Sequence, residues 1–196
     1  MGVKVEFKTM PFADLLPALE AGEVDMVLSD VTITGRRNMK VAFVGPYFIS
    51  GKTFLTTETW AASAKEPEEV NSPDTRLTAL NASTSQEFVE ETFPQATLLL
   101  ADDYDAAVKM VLEGEADAMI VDYPICLLSV IRYPEANLFS VVPPYTYEPI
   151  GIAIQKNDPL LANWLENFLT TLSGSGELKG LKEKWFEGGT WIKRLP

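Results

Sequence analysis

The chain has 196 residues, 46% apolar and 22% charged, long enough for one ordinary domain or two small lobes and globular rather than disordered in composition. Its net charge of −12 argues against nucleic acid and anionic membrane surfaces as partners. It has no histidine and one cysteine, which excludes Ser-His-Asp or Cys-His catalysis, histidine metal sites, internal disulfides and thiolate clusters.

Taken in chain order, Val3–Phe7 alternates apolar and polar residues and predicts a strand. No secretory signal precedes it, so localisation is not read directly. Pro11 opens a helix to Ala21, with Pro17 an awkward interior residue, and Val24–Ser29 reads as a buried strand. A polar loop, Asp30–Arg37, leads into a helical turn. Gly45-Pro46-Tyr47-Phe48 reads as a turn, Lys52–Thr57 as a strand and Lys65–Asp74 as a surface loop. Arg76–Leu80 is a strand, and a helix follows it with Ser83 or Thr84 as N-cap. Strands at Thr97–Leu100 and Asp117–Val121 flank a helix at Tyr104–Glu113. A helix at Pro124–Arg132 holds the lone Cys126 as a core thiol, and strands follow at Leu138–Val142 and Glu148–Ile154. Pro159–Leu172 is an amphipathic helix with Leu161, Trp164, Leu165, Phe168 and Leu172 on one face. A last helix spans Leu178–Phe186, and Trp191–Pro196 is too short to assign. No apolar run approaches the roughly 18 residues of a membrane span.

Two stretches repeat. Gly22-Glu23-Val24-Asp25 through Asp30 and Gly114-Glu115-Ala116-Asp117 through Asp122 carry Gly, Glu, Asp and Asp at matching places, each after a helix-like stretch. A helix stopped by Gly and followed at once by an apolar strand is an α/β unit, and two such units suggest two similar lobes with a ligand cleft between them. Aligned on the repeat, the second lobe has a strand and a helix at its front that the first lobe lacks, so the first lobe reads as incomplete.

Three features of these lobes suit a small ligand. The loop Ser29–Arg37 places hydroxyls before an arginine, whose planar fork suits a carboxylate, although such a loop can also be plain solvated surface. The turn Ala82-Ser83-Thr84 presents a helix N-terminus, either a simple cap or an anion site. Asp122 ends its strand either as an ammonium acceptor or as the cap of the helix opening at Pro124. Together they describe a carboxylate pole (Thr32, Arg37, Ser83, Thr84) and an ammonium pole (Asp122), the complement of a zwitterionic α-amino acid.

The chain resembles the type II periplasmic amino-acid-binding proteins of ABC transporters, bacterial extracellular solute-binding family 3. The motifs are Pro11-Phe12-Ala13-Asp14-Leu15-Leu16-Pro17-Ala18-Leu19, Gly22-Glu23-Val24-Asp25, Thr32-Ile33-Thr34-Gly35-Arg36-Arg37, Phe43-Val44-Gly45-Pro46-Tyr47-Phe48, Ser83-Thr84-Ser85-Gln86-Glu87-Phe88, Ala116-Asp117-Ala118 through Val121-Asp122, and Lys184-Trp185-Phe186. The resemblance implies an α/β, two-lobe periplasmic-binding-protein-like II fold whose first lobe lacks its first strand and helix. It divides the chain into residues 1–54 and 150–196 for lobe one and 55–149 for lobe two, with hinge crossings at Lys52–Thr57 and Glu148–Ile154. It implies that Arg37 clamps the ligand carboxylate with Thr32, Ser83 and Thr84, that Asp122 takes the ammonium, and that Phe12 lies against the ligand or in the core. Three residues depart from the family pattern: Asp30 stands for Gly or Ser, Gly35 for Pro and Ala82 for Gly. Asp30 either strengthens the ammonium pole or points away.

The expected function is capture of a polar α-amino acid for an ABC transporter permease in the periplasm, without catalysis, cofactor or metal. Two further readings use the same fold: a ligand-binding sensor domain, and a cyclohexadienyl dehydratase-like enzyme with Glu148 or Asp30 as general acid. The incomplete lobe leaves a strand edge open, so a homodimer or domain swap is a further expectation.

Overall fold

The computed structural model describes residues 2–64, 66–141 and 144–187. Among these residues, eight strands form two separate sheets. The first is antiparallel in the order β1 (Met26–Val27), β8 (Glu148–Ile154), β2 (Ala42–Ser50). The second has five strands in the order β5 (Thr97–Ala101), β4 (Arg76–Leu80), β6 (Ala118–Asp122), β3 (Lys52–Thr56), β7 (Phe139–Ser140). In it β5, β4 and β6 run parallel, and β3 runs antiparallel to both β6 and β7.

Each sheet is covered on both faces. All five residues of β6 are buried. Met119 and Val121 face a cluster with Val108, Val111 and Cys126 from helices α5 (Tyr104–Leu112) and α6 (Tyr123–Arg132). Ala118 and Ile120 face the opposite cluster, with Val89 of α4 (Thr84–Thr92) and Phe93. A strand buried on both faces reads as a continuous apolar run, which is why Ala118–Val121 lacks alternation. In the first sheet, Ala153 packs with Leu19 of α1 (Phe12–Glu20), while Ile152 and Ile154 pack with Leu165 of α7 (Pro159–Gly174). Burying each such Leu, Ile or Val contributes about 1.5–3 kcal/mol.

The repeated sequence is a repeated conformation. Gly22 (φ 76°) and Gly114 (φ 71°) both end their helices in the left-handed region. Each helix closes with the same pair of bonds: Gly22 N–H to Leu19 O and Glu23 N–H to Ala18 O, Gly114 N–H to Val111 O and Glu115 N–H to Met110 O. This is the Schellman cap, and glycine is what the positive φ requires.

Several elements differ from expectation. Val3–Phe7 forms no ladder, and Val3, Val5 and Phe7 are exposed. Period-two alternation makes a strand only where another strand offers its edge, and among the described residues none does. The strand expected at Val24–Ser29 is reduced to Met26–Val27, of which only Val27 is buried, because it pairs on one side only, with β8. Gly45–Phe48 is not a turn but lies inside β2, where the register shifts between Val44 and Phe48. Two Gly/Pro positions signal irregularity, and here it is a bulge rather than a reversal. The face of α7 divides: Leu161, Leu165 and Leu169 pack inward, while Trp164 and Phe168 stack on each other (centroids 5.3 Å apart, 8° between planes) on the exposed side. The last helix is α8 (Glu177–Lys182), continued by a π-turn over Glu183–Glu187. Helices α2 (Gly35–Asn38) and α3 (Thr59–Ser63) and a 3₁₀ turn at Pro67–Glu69 complete the described elements. The tail expectation at Trp191–Pro196, and Val142 of the Leu138–Val142 strand, lie outside the described residues.

The chain passes between the sheets at two neighbouring places. Strand β2 runs into β3 through Gly51, and the return enters β8 at Glu148. Lys52 N–H donates to Thr146 Oγ1 (2.9 Å) and Tyr145 N–H to Lys52 O (2.8 Å), which ties the crossings together. A side chain at Gly51 would strike Thr146 O and lie 2.6 Å from Pro144 Cβ.

Candidate binding site between the two sheets

The carboxylate-pole residues stand at the junction of the two sheets. The loop after β1 is laid along β8: Ile33 N–H donates to Pro149 O (2.7 Å), and Gly151 N–H donates to Val31 O (3.1 Å). Thr34 caps α2, its side chain accepting from Arg37 N–H at 3.1 Å, and so Arg37 leaves a short, fixed helical turn. Its guanidinium donates to Thr32 O (3.0 Å) and, across the gap, to Ala82 O (3.4 Å). It also lies 5.8 Å from the centre of the Phe12 ring, a cation–π placement. Burial pulls the Arg37 pKa down from its ordinary value, with the charges of Glu87, Glu148 and Asp122 acting against the shift.

Three more bonds join the same two sides. Thr32 Oγ1 and Thr84 Oγ1 share a hydrogen bond of 3.2 Å. Arg36 pairs with Glu87 at 3.0 Å on the exposed rim. Tyr104 Oη donates to Asp30 Oδ2 at 3.4 Å. The cleft is therefore closed on itself.

Ser83 is the N-cap of α4. Its hydroxyl accepts from Gln86 N–H (3.1 Å) and donates to Leu80 O (2.6 Å), while Gln86 Oε1 accepts from Ala82 N–H (2.8 Å). Both roles of the Ser83 hydroxyl are thus internal, which leaves the α4 N-terminus and Thr84 as its contribution to the cleft. Ala82 holds φ 58°, a left-handed conformation costly for any residue with a Cβ.

Asp122 has the N-cap position of α6, but its side chain makes no cap bond. It turns instead to Lys52. The two residues are direct cross-strand partners on β6 and β3, and Lys52 Nζ donates to Asp122 Oδ2 at 2.7 Å. The lysine side chain is 1% exposed and its ammonium also lies 3.7 Å from Glu148 Oε2. Asp122 Oδ1 is buried and without a hydrogen bond among the described residues. Asp30, at φ 55°, feels the charges of these groups and accepts a hydrogen bond from Tyr104. Burial, then the negative charge of Asp122, push its pKa from 3.8 to about 7, with Lys52 pulling the other way. Burial and the Asp30 carboxylate push the Tyr47 hydroxyl up to about 12. Tyr104 is raised as well, for the same causes.

A cavity of about 420 Å³ opens beside the arginine, lined by Phe12, Leu15, Leu16, Arg37, Ser83 and Gln86 among others. Of the seven residues singled out from sequence, Phe12, Arg37 and Ser83 line it, while Asp30, Thr32, Thr84 and Asp122 lie outside its lining. Thr32 and Thr84 meet each other at the closed contact, and Asp30 and Asp122 belong to the buried acidic cluster with Lys52. Sequence reasoning missed Lys52 and Tyr104. A lone charge opening a strand of Thr, Phe and Leu was a usable signal of a buried partner for Lys52; Tyr104 carried none beyond its place at a helix start. No group of three acidic, Cys or His side chains able to hold a metal occurs among the described residues, and no helix there is long and apolar enough to cross a membrane.

Comparison with known proteins gives consistent similarity. The family model of the bacterial extracellular solute-binding proteins, family 3, matches residues 1–188. The glutamine-binding protein GlnH of a Bacillus subtilis ABC transporter is 27% identical over 184 residues, covering 94% of this chain and 66% of that protein. The chain thus spans just under two thirds of that relative's length. Among solved structures, a binding component of an ABC transporter from Wolinella succinogenes, complexed with lysine, superposes with a TM-score of 0.91 at 30% identity, over 98% of this chain and 82% of that one. The ancestral amino acid-binding protein AncCDT-1, described as a precursor of cyclohexadienyl dehydratase, does so at 0.85 and 36% identity, over 95% and 79%.

Proposed function

We propose a function for this chain, which belongs to the bacterial extracellular solute-binding proteins of family 3: it captures a polar α-amino acid in the cleft between its two lobes and presents it to an ABC transporter permease outside the cytoplasm. Arg37 holds the ligand carboxylate, with Thr32 contributing from one side and, from the other, Thr84 and the α4 N-terminus that Ser83 caps. Asp122 accepts the ammonium, Phe12 packs against the ligand, and Asp30 adds to the ammonium pole. One observation carries the reading. Arg37 reaches from one side of the sheet junction to the other, and Asp122, whose charge acts on that guanidinium, has a buried carboxylate oxygen without a hydrogen bond among the described residues. Such a pair of poles complements a zwitterion. The names of relatives that bind glutamine or lysine support a polar ligand.

We assign residues 1–54 and 150–196 to lobe one and 55–149 to lobe two. Lys52–Phe54 already pair in the five-stranded sheet and Glu148–Pro149 in the other, so we set the crossings a few residues before those bounds, at Gly51 and Tyr147, rather than within Lys52–Thr57 and Glu148–Ile154. The open edge of β1 is where a second copy or a swapped strand would add. Titration calorimetry against the twenty amino acids tests the function: a polar amino acid binds, and Arg37→Ala abolishes that binding. Unchanged affinity in the variant would overturn the site.

A second reading, an eliminating enzyme of the cyclohexadienyl dehydratase type, is favoured by one feature. Burial and Asp122 raise the Asp30 pKa to about 7, and Tyr104 bonds it across the junction of the sheets, an environment that suits a general acid. Release of phenylpyruvate from prephenate would support it, and no release from prephenate by a chain that binds amino acids would exclude it.

A further inference from the structure

We propose that Lys52 is a specificity-determining residue: its ammonium, paired with Asp122 and adjacent to Glu148, sets the charge balance of the ammonium pole and so the net charge of the amino acid the cleft accepts. The inference rests on the binding function proposed above and goes beyond it by naming a residue and a ligand class.

The placement is built by the fold. Lys52 opens β3 directly after the Gly51 crossing, and the β3–β6 register sets it opposite Asp122. A lysine 1% exposed is held there by its two acids, because an isolated ammonium in such a place would be strongly disfavoured. The acids come from different segments: Asp122 ends β6 and Glu148 begins β8. Glu148 is held in turn, its Oε1 accepting from Thr146 Oγ1 at 2.9 Å, and that hydroxyl oxygen accepts from Lys52 N–H. The lysine takes one Asp122 oxygen and leaves Oδ1 without a hydrogen bond among the described residues.

The count of charges follows. Two carboxylates face one built-in ammonium, so the pole lacks one cation. The α-ammonium of a ligand supplies it, while Arg37 takes the ligand carboxylate. A neutral amino acid closes the balance. A ligand with a further cation on its side chain brings a charge that only Asp30, in its ionised form, can meet. Lys52 therefore holds the cleft toward neutral amino acids by standing where a second ligand cation would otherwise be drawn. A like charge within a few ångströms in a poorly screened site shifts affinity by about tenfold or more.

The test compares L-arginine, L-glutamine and L-glutamate by calorimetry on the full chain and three variants. Lys52→Met vacates one cation position, and the arginine-to-glutamine affinity ratio rises about tenfold. Glu148→Gln leaves a surplus cation, and the same ratio falls by a similar factor while glutamate gains. The double variant Lys52→Met/Glu148→Gln removes one charge of each sign and returns the ratio to that of the unmodified chain. If Lys52→Met does not fold, the Glu148→Gln and double variants carry the same test. Equal losses for all three ligands, the mark of a merely structural ion pair, would overturn the inference and leave the binding function standing. No binding of any of the twenty amino acids by the unmodified chain would instead contradict the binding function and the inference with it.

Discussion

Asp30 is an acid whose environment opposes its own charge, and this gives the molecule a specific response to pH. Its pKa is 3.8 in an unstructured chain and about 7 in the fold, because burial and Asp122 disfavour the carboxylate. Between those values the folded chain holds a proton that the unfolded chain has released. Stability contributed by this group is therefore present at low pH, falls as pH rises from about 4 to about 7, and is level above that. Asp30→Asn should flatten the slope in chemical denaturation measured across this range, and an unchanged slope would refute the assignment. The groups facing Asp30 are Asp122, Glu148, Lys52, Tyr104 and Tyr47. Ala82 is a second residue under constraint. Its φ of 58° costs about 1 kcal/mol relative to glycine, so Ala82→Gly should stabilise the chain by about that amount in urea unfolding, less the entropy that glycine adds to the unfolded state. The residue pattern Thr32–Arg37 could be read as a carboxylate fork because hydroxyl and guanidinium chemistry is local. The Lys52–Asp122 pair could not, because it arises from cross-strand register between residues 70 apart in sequence.

Strand β8 is the element on which the first sheet depends, since it pairs with both β1 and β2 and carries the loop leading to Arg37. Gly151 within it lets that loop approach: a Cβ there would lie 2.7 Å from the Ile33 side chain and 3.2 Å from Phe43. Gly151→Ala should destabilise the chain by about 1–3 kcal/mol and weaken ligand binding through displacement of Thr32. Equal stability and affinity in the variant would show that the loop can yield. Elements with both a stop signal and a strong period were legible in the sequence: the two Gly-capped helices, β6 and α4. The rest turned on neighbours. Val3–Phe7 has the alternation of a strand but no partner among the described residues, and Val24–Ser29 keeps two paired residues, bonded on one side to β8. Gly45-Pro46 reads as a turn in isolation, yet pairing with β8 resumes at Phe48 and makes it a bulge. Trp164 and Phe168 share the helical face of Leu161 and Leu165 by spacing but sit at its margin, where they bury against each other rather than the core.

At the scale of the molecule, two sandwiches meet at a double crossing and a set of contacts between named residues: Arg37 with Ala82, Thr32 with Thr84, Arg36 with Glu87 and Asp30 with Tyr104. The Arg36–Glu87 pair is exposed and contributes about 0–1 kcal/mol, so Arg36→Ala should change ligand affinity by less than about fivefold. The buried pairs are what a ligand must rearrange. The central claim is that the cleft takes a zwitterion between Arg37 and Asp122. The most direct test is to measure, by titration calorimetry, a bound amino acid beside its methyl ester and its N-acetyl derivative. Each derivative removes one ligand charge and leaves one buried protein charge unmatched, so each should bind at least about a hundredfold more weakly than the free amino acid. Binding of either derivative with the affinity of the free amino acid would contradict the claim.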